Sequence, residues 1–179
     1  MIEATTDQEK IGQALRWVVS LLTRYEIPYQ ICGGMAAKAY GATRPLVDID
    51  FYAALQESPH FQEFLKEIHP YLIREWSPHL SASWDIIYLA LNYQGMQIEI
   101  GEATTHPRFY NHRDGRWEDQ CIDFLTSTPL HLYGVEVMVM PKDELLAYKA
   151  MLARDVDQLD IAQLAATSEE IVHERRPSQ

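Results

Sequence analysis

The hydrophobic positions change period several times along the chain. Ile11, Leu15, Val18 and Leu22 recur at helical spacing and mark one face of an amphipathic helix. Thr6 with Glu9 forms a capping box ahead of it, and the pattern predicts an end near Tyr25, before Pro28. "YQIC" (29–32) then reads as a short buried strand, and "MAAKAY" (35–40) as an alanine-rich helix closed by Gly41. "LVDIDFYA" (46–53) alternates and is rich in strand formers. Ser58-Pro59 caps a third helix whose apolar face is Phe61, Phe64, Leu65, Ile68 and Leu72.

The second half is richer in strands. "WDIIYLALNY" (84–93), a tight "QG" turn and "MQIEIGEA" (96–103) predict a hairpin. Residues 104–128 are polar and rich in turn formers, which predicts a long loop with one short strand, "QCIDFL" (120–125). "YGVEVMVM" (133–140) is a further strand. Pro141 opens the helix "PKDELLAYKAMLA" (141–153), a helix over "DVDQLDIAQLAA" (155–166) follows, and Ser168 caps a short terminal one. This order predicts an α+β fold, a small mixed β-sheet with helices packed on it and a helical C-terminal part. The expected division is 1–140 for the α/β part and 141–173 for the helical part, as two parts or as one domain, with 174–179 a flexible tail.

Composition narrows the function classes. The 179 residues are 47% hydrophobic and 23% charged, so a sizeable core is expected. The net charge of −11 and the absence of a basic run argue against a broad nucleic-acid surface, which draws on Lys and Arg. The N-terminal stretch lacks the basic start and apolar core of a secretory signal, and no apolar run is long enough for a membrane span. A cytoplasmic protein is therefore expected. Cys32 and Cys121 form no CxxC pair, so neither zinc nor a redox dithiol is indicated.

Candidate chemistry sits in "ICGG" (31–34) and "VDIDF" (47–51). On a strand Asp48 and Asp50 share one face, with Ile49 and Phe51 directed to the core. Two adjacent carboxylates repel, and a divalent cation is the simple compensation. Two solvated aspartates on an edge strand would need none. A strand leading into Gly33-Gly34 and a helix lets backbone approach a ligand, with a plain tight turn as the alternative. Glu99 alternates with Ile98 and Ile100, and on a strand beside "DID" it would complete a trio of acids as metal ligand or general base. Glu102 competes for that place. His106 and His112 fit no standard zinc spacing. Their loop, with Phe109, Tyr110 and Trp117, is expected to line an acceptor pocket or to pack back on the core. Asp157 and Asp160 share a helix face, there to bind a cationic acceptor or to sit in solvent.

The pair "ICGG" and "VDIDF" resembles the signature of the DNA polymerase β-like nucleotidyltransferase superfamily. Within it the chain is most similar to small lincosamide and aminoglycoside (2″)-type antibiotic nucleotidyltransferases, and it also resembles AbiEii-like proteins. Arg44 and the run "VMVMPKDELLAYKAMLARDVDQLDIAQL" fit the same relatives. The resemblance implies an enzyme that uses two Mg²⁺ ions to move a nucleoside monophosphate from an NTP to a hydroxyl-bearing acceptor. An antibiotic-like acceptor is one possibility it opens. It implies metal ligation by Asp48 and Asp50, with Glu99 as ligand or base where the family usually has aspartate. It also implies phosphate binding by Gly33 and Gly34, and phosphate neutralisation by Arg44 and Lys149, unless these two are surface residues. The AbiEii side implies instead a toxin acting on RNA or protein under an antitoxin partner. A non-catalytic nucleotide-binding module is a third reading.

Overall fold

The structure, a computed structural model, describes residues 7–174, with residues 167–174 described by backbone alone. Helix α1 (Asp7–Arg24) leads into β1 (Tyr29–Ile31), α2 (Gly33–Ala39), β2 (Asp48–Ala53) and α3 (Phe61–Ile68). Then come β3 (Leu72–Leu80), β4 (Trp84–Tyr93), β5 (Met96–Glu102), β6 (Arg108–Asn111), β7 (Arg116–Asp119), β8 (Thr128–Leu132) and β9 (Val135–Val139). Helices α4 (Lys142–Leu152) and α5 (Asp155–Glu174) follow. The expected α+β class is what the chain adopts.

The strands form one mixed sheet in the order β7-β6-β4-β5-β2-β1-β9-β8, with β3 paired to β4. Pairings β2–β5 and β1–β9 are parallel and the others antiparallel. Alternation divides the two faces. Ile49 and Phe51 on β2, Leu89 and Leu91 on β4, and Ile98 and Ile100 on β5 are buried in the core. The expected stripe of α1 (Ile11, Leu15, Val18, Leu22) is buried with them, and Trp17 stacks on Tyr93 at 4.3 Å. The opposite face carries Asp48, Asp50, Glu99 and Tyr88. The Tyr52 hydroxyl on this face lies 3.5 Å from that of Tyr148 on α4. Helices α2, α4 and α5 contact one another beside it. Among the described residues no helix is long and apolar enough to cross a membrane.

Several local expectations are corrected. The third helix stops at Ile68, a 3₁₀ turn (His69–Tyr71) follows, and Leu72 starts β3 rather than continuing the helical face. The 104–128 segment is an antiparallel hairpin, β6–β7, and "QCIDFL" holds a 3₁₀ turn (Phe124–Thr126) capped by Asp123, whose carboxylate accepts from Leu125 N at 2.9 Å. Strand β8 was not anticipated; Pro129 obscures it, and proline is tolerated there because β8 is an edge strand. Helix α5 runs unbroken through Ser168 to Glu174, so there is no separate terminal helix. Thr6 of the capping box and residues 175–179 of the tail lie outside the described residues.

This division between packed and exposed positions is testable in urea. Phe51→Ala, at a site 2% exposed, is expected to lower unfolding free energy by about 3–5 kcal/mol. Leu125→Ala, at a site 95% exposed, is expected to change it by less than about 0.5 kcal/mol.

Candidate active site

The DID pair acquires its partner through strand register. Parallel pairing of β2 with β5 sets Asp50 opposite Glu99. One carboxylate oxygen from each of Asp48, Asp50 and Glu99 lies within 4.8 Å of the others. Among the described residues this is the one group of three or more His, Cys, Asp or Glu side chains with metal-holding geometry. Burial and the charges of Asp48 and Glu99 push the Asp50 pKa up to about 7, against the pull of Arg154 and Lys149. Burial and Asp48 also raise Glu99, although Gln97 Nε2 donates to its carboxylate at 2.8 Å. A divalent cation fits this crowding, since three oxygen donors converge, and burial with their mutual repulsion raises the Asp50 and Glu99 pKa values.

Glu102 takes no part in the cluster. It is buried and accepts from Gln56 N at 3.0 Å, Thr104 N at 2.9 Å and Thr104 Oγ1 at 2.7 Å, so it ties loops to the sheet. The glycine pair is set by space as well as by backbone. Gly33 has φ of +60°, and a Cβ there would collide with the Asp50 carboxylate. A Cβ on Gly34 would collide with the Arg44 guanidinium. The neighbouring Cys32 thiol has its pKa pushed well up by burial and by Asp50, which holds it protonated.

Beside the acids lies a buried ionic network. Lys149, 1% exposed, contacts Asp157 Oδ1 at 3.1 Å and Asp160 Oδ2 at 2.8 Å. Arg44 donates through Nε to Asp160 Oδ1 at 2.6 Å and through Nη2 to Oδ2 at 3.1 Å. Arg154 makes the equivalent fork on Asp157, at 2.7 and 3.0 Å, with its guanidinium 4.7 Å over Trp84. Burial works to raise the Asp157 pKa, but the Arg154 hydrogen bonds and charge, with Lys149, outweigh it and hold it below the ordinary value. Asp157 and Asp160 are fully buried. Neither sits in solvent nor is open to a cationic acceptor, because both are engaged by three cations of this chain. Lys149 is likewise no surface residue, and the Arg44 side chain is 17% exposed.

Acids and network share one cavity of about 540 Å³, whose lining includes Gly33, Gly34, Arg44, Asp48, Lys149 and Arg154. That volume is within the range of small-molecule sites. The loop aromatics are elsewhere. Phe109 is buried against Tyr148 at 5.0 Å, and Tyr110 packs on His112 and Trp117, so these residues pack back rather than line the cavity. Sequence reasoning missed Arg154, Tyr148, Trp84, Ile86, Tyr88 and His79 as lining residues. The signal for three of them was present, since Trp84, Ile86 and Tyr88 alternate along one strand and so share a face.

Two stability measurements follow. Folded Asp50 retains a proton that an unfolded aspartate loses, so this group's contribution falls as pH rises from about 4 to about 7 in metal-free protein. Asp50→Asn is expected to remove that decline and to stabilise the metal-free chain at pH 8 by on the order of 2 kcal/mol, read by thermal melts across pH. Lys149→Met leaves two buried carboxylates short of a counter-charge and is expected to lower stability by about 3–5 kcal/mol in urea titration.

No family model matches the chain, and no curated protein matches its sequence. Solved structures do match by shape. A Thermotoga maritima protein assigned as a nucleotidyltransferase superposes with TM-score 0.63 and 17% identity, over 98% of this chain and 100% of its own. The lincosamide antibiotic adenylyltransferase LnuA, solved with lincomycin bound, gives TM-score 0.56 and 14% identity over 87% of this chain and 96% of its own. ANT(2″)-Ia in complex with adenylyl-2″-tobramycin gives TM-score 0.53 and 13% identity over 92% and 93%. The α+β architecture of this chain is a nucleotidyltransferase-like fold.

Proposed function

We propose that the chain is a Mg²⁺-dependent nucleotidyltransferase that moves a nucleoside monophosphate from an NTP to a hydroxyl of a small molecule. The observation that carries this reading is the acidic trio Asp48, Asp50 and Glu99 facing the cations Arg44, Lys149 and Arg154 across one cavity. Asp48 and Asp50, with Glu99, would hold two Mg²⁺ ions, which supply charge neutralisation for the triphosphate and for the oxygens that enter and leave.

The remaining work belongs to the chain. The missing side chains of Gly33 and Gly34 leave room for the Asp50 carboxylate and the Arg44 guanidinium, and the glycine backbone beside these groups would receive the phosphate oxygens. Arg44 and Lys149 offer positive charge to the triphosphate, and Asp160 fixes the direction in which Arg44 points. Glu99, raised in pKa, takes the proton of the acceptor hydroxyl if it is not itself wholly engaged as a ligand. The acceptor oxygen then bonds to the α-phosphorus, the bond to the bridging oxygen breaks, and pyrophosphate leaves. Since α4 supplies Lys149 and the turn between α4 and α5 supplies Arg154, the helical C-terminal part and the α/β part are best taken as one functional unit.

Calorimetry with each NTP is expected to show binding that depends on Mg²⁺. Pyrophosphate release with a hydroxyl acceptor is expected to fall at least about 10³-fold in Asp48→Ala. Equal release by Asp48→Ala and the parent would remove the assignment.

A further inference from the structure

The acceptor's chemical class follows from charge and position around the cavity, on the premise that the nucleotidyl-transfer reading holds. Three zones follow one another across the sheet face. The glycine pair and Arg44 lie at the β1–β2 side, the acids are on β2 and β5, and beyond them β4 and β3 raise a wall of Trp84, Ile86, Tyr88 and His79. In-line displacement puts the attacking oxygen and the leaving pyrophosphate on opposite sides of the α-phosphorus. With the triphosphate on the glycine side, the acceptor must arrive from the β4–β3 side, next to Glu99.

That wall is aromatic and carries positive charge. On β4, Ala90 is the register partner of Glu99, and Tyr88 lies one step further along the same face. The Tyr88 ring has the Arg74 guanidinium 4.5 Å over it and the edge of His79 at 5.3 Å. Arg74 Nη2 donates to Pro78 O at 3.1 Å, its Nε is buried without a hydrogen-bond partner, and its charge draws the Glu99 pKa down against burial and Asp48. Every acid lining the cavity is one of the three that crowd together at the proposed metal site. Asp157 and Asp160 are closed to an ammonium group by Lys149, Arg44 and Arg154.

We propose that the β3–β4 wall is the acceptor subsite and that it selects an uncharged hydroxyl compound with an apolar ring face, rejecting polycations. A polycation would meet the Arg154 guanidinium in the lining and that of Arg74 over Tyr88, while every lining carboxylate belongs to the proposed metal site, and like charge without a counter-charge is a basis for rejection. An apolar ring instead covers Tyr88 and Ile86 and leaves one hydroxyl at Glu99.

The test measures pyrophosphate release by the full chain with Mg²⁺ and its preferred NTP. Probes are a panel of uncharged aryl glycosides and nucleosides against the polycation tobramycin. The expected kcat/KM is at least about ten-fold higher for the best uncharged probe. Tyr88→Ala, or the milder His79→Ala, should raise acceptor KM about ten-fold while NTP affinity by calorimetry stays near the parent's. His79→Asp, which places a carboxylate on the wall, should raise transfer to tobramycin. The proposal is overturned by transfer to tobramycin that equals or exceeds the panel's, by no transfer to any probe while Mg²⁺ and NTP still bind, or by an acceptor KM indifferent to both wall variants. Absence of Mg²⁺-dependent NTP binding in the parent would instead remove the reading beneath it.

Discussion

Like charge held at close range is the constraint around which this molecule is arranged. Asp48, Asp50 and Glu99 are brought within 4.8 Å by strand register, and register cannot be relaxed without turning an entire apolar row out of the core. The core on one face of β2 and β5 therefore holds the carboxylates together on the other. Burial of Ile49, Phe51, Ile98 and Ile100 is worth several kcal/mol, on the order of 2 kcal/mol per side chain, and it outweighs the repulsion between the acids.

The ionic network answers that field from the other side of the cavity. Two buried aspartates hold three cations, leaving one net positive charge near three acids. Arg154 and Lys149 already pull the Asp50 pKa down, though not enough to restore an ordinary carboxylate. The site is thus only partly neutralised by the protein itself. This is the electrostatic state expected of a cleft that completes its charge balance with an external cation and an anionic substrate.

How much of this could be read in the sequence depended on range. Alternation placed Asp48 and Asp50 on one face and flagged Glu99, because strand period is local and the flanking residues are apolar. Strand β3 escaped because Leu72 extends the helical spacing of Phe61 to Ile68, and because the strand is half-exposed, contains Pro78, and shifts register between Leu72 and Ser77. The fate of Asp157 and Asp160 was also out of reach. Their helical spacing was visible, but Arg44 lies 116 residues from Asp160, and no local pattern reveals that partner. The hairpin β6–β7 was hidden by its polar composition, since "RFYN" buries only alternate residues and "RWED" buries none fully.

The glycine turn and the acid pair are usually thought of as separate parts, one for backbone and one for charge. Here they share volume, because the space where Gly33 and Gly34 lack a side chain is filled by the Asp50 carboxylate and the Arg44 guanidinium. Positions 33 and 50 cannot drift independently, nor can 34 and 44. A redesign that adds a methyl group at either glycine displaces a charge of the site before it touches any substrate. The four positions are best treated as one inheritable block, to be transplanted or varied together.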